Sequence, residues 1–161
     1  MHILAPIISG REAEDEYVEA ITKGADNVTL LQIVDREFMS RTSAAMGEVM
    51  QFSTIMSALK KKVGQKKKPC TEITEWGTTT KKIISISLIQ KVDKVIFVEQ
   101  KTAFFKEITD ELKKNKIEFE SVVVPTKEEK EKAAREIEKA KKDKQNESTS
   151  GAKRSIWSRR K

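Results

Sequence analysis

Ile3-Leu4-Ala5-Pro6-Ile7-Ile8, then Ser9-Gly10-Arg11-Glu12, and beyond Gly24 the run Asn27-Val28-Thr29-Leu30-Leu31-Gln32-Ile33-Val34 decide the fold. The first run is almost wholly apolar, the pattern of a strand covered on both faces. Ser9-x-x-Glu12 has capping-box spacing: the Ser oxygen accepts from the third helical amide and the Glu reaches back. The helix predicted to open there carries Ala13, Tyr17, Ala20 and Ile21 on one face, with Glu14, Asp15 and Glu19 turned away. Gly24 ends it, free to take positive φ. Residues 27–34 are then a second buried strand. Strand, helix and strand in about 35 residues make a βαβ unit with a right-handed crossover.

The same alternation continues outward. Over about 40–63, Ala45, Val49, Phe52, Met56, Leu59 and Val63 recur at spacings of four and three, with Met46, Met50 and Ile55 widening the stripe. That is a long helix with one face on the core, or alternatively a methionine-rich groove for a partner. Lys60-Lys61-Lys62 and Lys66-Lys67-Lys68 bracket Gly64 at its end, where cations complement the helix dipole. Pro69 stops the helix from resuming. Thr71 to Trp76 alternates polar and apolar residues, as an edge strand with one exposed face does.

Thr78 to Lys91 fits either period, since Ile84, Ile86 and Leu88 alternate while Ile83 and Ile86 also share a helix face. Its length, and its place between two strands that need a crossover, favour a helix. Val95 to Val98 is a buried strand, Thr102 to Asn115 an amphipathic helix with Phe105, Ile108 and Leu112 inward, and Phe119 to Val124 the last strand, stopped by Pro125. The prediction is a three-layer, doubly wound α/β domain with a five-stranded parallel sheet, order 3-2-1-4-5, over residues 1–125.

Beyond it, 126–146 is a charged helical extension with only Ala133, Ala134, Ile137 and Ala140 to pack, and 147–161 a basic flexible tail. A polar linker is read across Gln145 to Gly151. Residues 126–161 hold 13 Lys/Arg against 7 Asp/Glu, so +6 of the net +7 lies there and the first 125 residues are nearly neutral. Lys153, Arg154, Arg159, Arg160 and Lys161 with Trp157 form a candidate polyanion-binding tail, for nucleic acid or an anionic membrane. The other reading is a solubilising end.

The surplus of Lys and Glu is the bias of proteins from hot environments, and a solvated helix produces it too. No run of apolar residues is long enough for a membrane span, and residues 1–6 lack the basic and long apolar regions of a signal peptide. The single cysteine, Cys70, allows no internal disulfide, and the expected location is cytoplasmic. One Cys and one His preclude a Cys/His metal cluster. His2 stands alone before the first strand, which argues against a Ser-His-Asp arrangement. Neither a Walker A loop nor Gly-x-Gly-x-x-Gly occurs. A phospho-acceptor Asp ends a strand, and neither Asp35, after strand two, nor Asp93, before strand four, stands at the right place. The chain is therefore expected not to be an enzyme and to need no metal or cofactor.

In a doubly wound sheet the ligand crevice opens at the C-terminal edge where the strand order reverses, here between strands one and four. Ser9, Gly10 and Arg11 face Gln100, Lys101 and Thr102 across it. Free amides with Arg11 and Lys101 would hold an anion there. Alternatively Ser9 only caps its helix and both cations are solvated.

Several of these features resemble the universal stress protein family over residues 1–125. Ile3-Leu4-Ala5-Pro6 is similar to that family's opening Ile-Leu-x-Pro, and Val92-Asp93-Lys94-Val95-Ile96-Phe97-Val98 to its Asp-x-Ile-Val segment. The long second helix with a basic end and the closing Val122-Val123-Val124-Pro125 also fit. The resemblance implies an adenine nucleotide alpha hydrolase-like fold. It also implies a homodimer paired along strand five, through Val122, Val123 and Val124, acting on protein partners in a stress or regulatory role. ATP-binding members carry an Asp after the first strand to read adenine, where this chain has Ile7 or Ile8. They also carry a Gly-x2-Gly-x9-Gly-Ser/Thr loop after strand four. Here that stretch is Glu99-Gln100-Lys101-Thr102-Ala103-Phe104, with no glycine between Gly77 and Gly151. The resemblance is thus to members without the usual ATP motif, with nucleotide or anion sensing in the crevice as an alternative role.

Overall fold

The computed structural model describes residues 1–35 and 45–156, and these divide into two units, the first ending at Val124 and the second beginning at Pro125. In the first unit five strands, β1 (His2–Ile7), β2 (Asn27–Val34), β3 (Cys70–Trp76), β4 (Lys94–Val98) and β5 (Phe119–Val122), form one sheet. Every pairing is parallel, as the alternation of elements predicts, and the order is the expected β3-β2-β1-β4-β5.

Helices cover both faces: α1 (Asp15–Thr22), α2 (Ala45–Gln65), α3 (Thr79–Ile89) and α4 (Ala103–Lys114). The strand period of two sorts the core. Ile3, Ala5, Ile7, Val28, Leu30, Ile96 and Val98 pack with Tyr17 and Ile21 of α1 and Met56, Leu59 and Val63 of α2. The intervening Leu4, Leu31, Ile33, Val95 and Phe97 pack with Ile83 of α3 and Ile108 and Leu112 of α4. Near-continuous apolar strands are what a sheet buried on both sides requires. Thr78 to Lys91, which fits both periods, resolves as the helical crossover α3.

Four local expectations are corrected. Helix α1 starts at Asp15, not at Gly10, because Gly10 sits at φ +82°, a left-handed conformation no helical residue adopts. The methionine stripe narrows on the described residues. Met50 is 71% exposed, standing about 100° round the helix from Val49. Helix α2 runs through Gly64, and its stop is Lys67 at φ 55°, two residues before Pro69. Strand β5 ends at Val122; Val123 is 70% exposed and Val124 turns back into the core. Residues 40–44, where the second helix is predicted to begin, lie outside the described residues.

The second unit contains one helix, α5 (Lys127–Ile156), opened by a true capping box. The Thr126 Oγ1 accepts from the Glu129 amide at 3.2 Å, and Glu129 Oε2 accepts from the Thr126 amide at 2.7 Å. Residues 131–142 are all exposed and carry i,i+4 pairs such as Lys142–Glu138 at 2.8 Å. The polar linker read over Gln145 to Gly151 is helical instead. With no proline there, a lone Gly151 costs only about 1 kcal/mol, too little to break a helix already nucleated.

Candidate functional site

The sheet changes direction between β1 and β4: the chain leaves β1 for β2 on one side, then returns through α3 to β4 on the other. The C-terminal ends of β1, β2 and β4 therefore surround a crevice whose walls diverge. A cavity of about 540 Å³ occupies it. Ile7, Ile8, Ser9 and Gly10 line it from the exit of β1, and Ile33, Val34 and Asp35 from the end of β2. Val49, Gln51 and Phe52 of α2, Thr79 of α3, Gln100, Thr102 and Phe104 complete the walls.

The β1 exit is held from below. Glu12 is fully buried, and its Oε1 accepts from the amides of Ile8 at 2.9 Å and Ser9 at 2.6 Å. The Ser9 Oγ accepts from the Arg11 amide at 3.0 Å, closing a tight turn in place of the predicted helix cap. In α1, the Tyr17 hydroxyl donates to the Ile96 carbonyl at 2.7 Å, joining α1 to β4. Burial pushes that hydroxyl well above its ordinary 10.0, and nearby Glu12 adds to the effect.

Of the six predicted crevice residues, Ser9, Gly10, Gln100 and Thr102 line the cavity. Arg11 and Lys101 do not, and the expected pair of anion-binding cations is not assembled. The Arg11 guanidinium donates to the Val124 carbonyl at 2.7 Å and to the Glu99 carbonyl at 3.5 Å, fastening the chain after β5 to the exit of β4. Lys101 is exposed, outside the lining. Thr102 caps α4, its Oγ1 accepting from the Phe105 amide at 3.1 Å. Gln100 lies differently: its Nε2 is buried and has no hydrogen-bond partner among the described residues.

Asp35, weighed in the sequence only as a phospho-acceptor, and Thr79 also belong to the wall. Asp35 Oδ2 accepts from both the amide and the hydroxyl of Thr79, at 3.1 and 3.2 Å, so the carboxylate tethers the start of α3 to the end of β2. An acid directly after an apolar strand was the available signal. Its use depends on β2 lying beside β1, which only the sheet order reveals. The position that reads adenine in the family resembled is Ile7 or Ile8, and both stand in the cavity wall.

At the proposed pairing edge, Val122 is half-buried against the core and Val124 is buried, leaving Val123 exposed. Trp157, Arg159, Arg160 and Lys161 of the predicted tail lie outside the described residues, while Lys153 and Arg154 fall within α5. Among the described residues no cluster of His, Cys, Asp and Glu could hold a metal ion, and no helix is long and apolar enough to cross a membrane.

No family model matches the chain, and no curated protein matches it. Solved structures share its fold. The hypothetical protein MJ0577 superposes with a TM-score of 0.60 at 16% identity, over 78% of this chain and 96% of that one. The universal stress protein UspA from Lactobacillus plantarum follows at 0.52 and 13%, over 76% and 97%. The hypothetical protein PH0823 stands at 0.50 and 16%, over 78% and 98%. The first unit therefore has the fold of universal stress protein structures.

Proposed function

We propose that the chain is a non-catalytic module of the universal stress protein type that binds a small molecule in the crevice between β1 and β4 and reports it to protein partners. The observation that carries this is the 540 Å³ cavity at the strand reversal. A mostly apolar hollow with a few convergent polar groups is what small-molecule sites look like. The fold shared with universal stress protein structures supports the same assignment, and the missing glycine-rich loop argues against a phosphoryl-transfer role.

The test is a thermal-shift panel of adenosine, guanosine and uridine with their mono-, tri- and cyclic phosphates, on the full chain and on Gln51→Trp. Gln51 is exposed on α2, and its Nε2 lies 3.6 Å from where a Cβ on Gly10 would stand. An indole at 51 therefore spans the cavity mouth without disturbing the core. A ligand at about 100 times its Kd stabilises by about 2.7 kcal/mol, raising Tm by about 5–10 °C. That rise is expected for at least one compound with the native chain and is lost in Gln51→Trp. No rise for any compound, or an equal rise in the variant, contradicts the reading.

Reporting through partners goes with self-association. Among the described residues no strand neighbours the outer edge of β5, and such an edge is a template for pairing. Light scattering coupled to size exclusion should give the dimer mass. A clean monomer at high concentration removes the pairing.

A further inference from the structure

Four connections lead from a helix back into the sheet, and they share one plan. Residues 23–26 join α1 to β2, 66–69 join α2 to β3, 90–93 join α3 to β4, and 115–118 join α4 to β5. In each the second residue is left-handed: Gly24 at φ 69°, Lys67 at 55°, Lys91 at 49° and Lys116 at 56°. In the last three the next amide donates back into the helix, Lys68 to the Val63 carbonyl at 3.4 Å, Val92 to Ser87 at 3.1 Å and Ile117 to Leu112 at 3.0 Å. That closure favours glycine, which has no Cβ to strain. Gly24 follows the rule, and three lysines depart from it. In α2 and α4 the helix dipole is already met by Lys62, Lys113 and Lys114 inside the last turn, where a lysine needs no left-handed backbone.

What the three lysines share is their place. Parallel strands all start at one end of the sheet, so the four connections lie together there, at the end opposite the crevice. Five strands span about 19 Å at the usual spacing. The connections hold Lys23, Lys66, Lys67, Lys68, Lys91 and Lys116 against Asp26, Asp93 and Glu118. Each acid has a partner at hand: the Met1 amino group for Asp26, the His2 amide at 2.6 Å for Asp93, and Lys94 at 3.2 Å for Glu118. Lys23, Lys66 and Lys68 share one hollow with Glu19 and Thr22, while Lys67, Lys91 and Lys116 are exposed. Just before Lys91, the last turn of α3 leaves Leu88 56% and Ile89 72% exposed. The lysines alone would suit any polyanion. A nucleic-acid backbone gives Leu88 and Ile89 nothing apolar to enter, whereas a bilayer offers headgroups to the lysines and acyl chains to the apolar pair.

We propose that the strand-start end of the first unit docks on an anionic lipid surface, with Lys67, Lys91 and Lys116 on the headgroups and Leu88 and Ile89 entering the interface.

Flotation of the full chain with phosphatidylcholine vesicles, pure or carrying about a third phosphatidylserine, tests this. The native chain should bind the anionic vesicles alone, and less as salt rises. The triple variant Lys67→Gly, Lys91→Gly, Lys116→Gly relieves the left-handed strain, so its Tm should equal or exceed the native value. Its partition onto anionic vesicles should nonetheless fall by about tenfold or more. The matching asparagine triple variant, which also tolerates that backbone, should lose binding alike. Ile89→Ser keeps every charge and should weaken partition by about threefold or more. Native partition in both triple variants overturns the proposal and assigns vesicle binding to another part of the chain. Unchanged partition in Ile89→Ser, with duplex DNA bound by the native chain and released by the triple variants, overturns it in favour of a nucleic acid. A native chain that ignores anionic vesicles overturns it outright and leaves the reading of the crevice untouched.

Discussion

Phe97→Ala should destabilise the first unit by about 3–5 kcal/mol, the cost of a buried aromatic cut back to a methyl group with a void left behind. Phe97 is fully buried at the centre of β4, and its ring meets Phe105 edge-on at 5.7 Å and Phe119 at 6.5 Å. Those rings come from α4 and β5, so the substitution loosens three elements together. Against a whole-domain stability of about 5–15 kcal/mol the loss is large. Urea unfolding measures it, with the exposed Phe104→Ala as a control expected to lose less than about 1 kcal/mol. Comparable losses for the two would mean that the ring cluster does not hold the sheet to α4.

Glu12→Ala is the second large effect, at about 2–4 kcal/mol, because it strips the shared, fully buried acceptor from two part-buried amides. The Ile8 and Ser9 amides both donate to the same Oε1, and Oε2 has no partner among the described residues. Glu12→Gln retains a carbonyl oxygen for that role and should lose under about 1 kcal/mol. The alanine variant should also weaken ligand binding in the crevice, since Ile8 and Ser9 are its wall. Equal losses for the two variants would place the importance of Glu12 in its charge rather than in the turn it closes.

The contrast between these residues shows what was legible beforehand. The alternation of strands and helices made the parallel sheet legible, and Thr79–Ile89 could be read as a helix because a parallel pair needs a crossover whatever the local period says. Ser9 and Glu12 matched a helix cap by spacing, yet spacing does not specify φ. With Gly10 left-handed, the same two side chains fold the exit of β1 instead. Thr126 and Glu129 have identical spacing with no glycine between them, and there the cap forms.

The site was legible to the extent that topology fixes it. Ser9, Gly10, Gln100 and Thr102 follow from knowing which strands flank the reversal. Arg11 was misassigned because its carbonyl partners lie 88 and 113 residues away, and no local pattern announces a guanidinium committed to main chain. Asp35 and Thr79 were not placed in the crevice for a related reason. They arrive from β2 and α3, 44 residues apart, and become neighbours only once the sheet is assembled.

The crevice between β1 and β4 is the place proposed for a small molecule. Amide NMR of the full chain during titration with the tightest-binding nucleoside tests it most directly. Saturable shifts are expected at Ser9, Gly10, Asp35, Thr79, Gln100 and Thr102, with residues 127–156 unmoved. Shifts confined to another surface, such as the lysine-lined hollow of Lys23, Lys66 and Lys68, or none at the crevice, would contradict it.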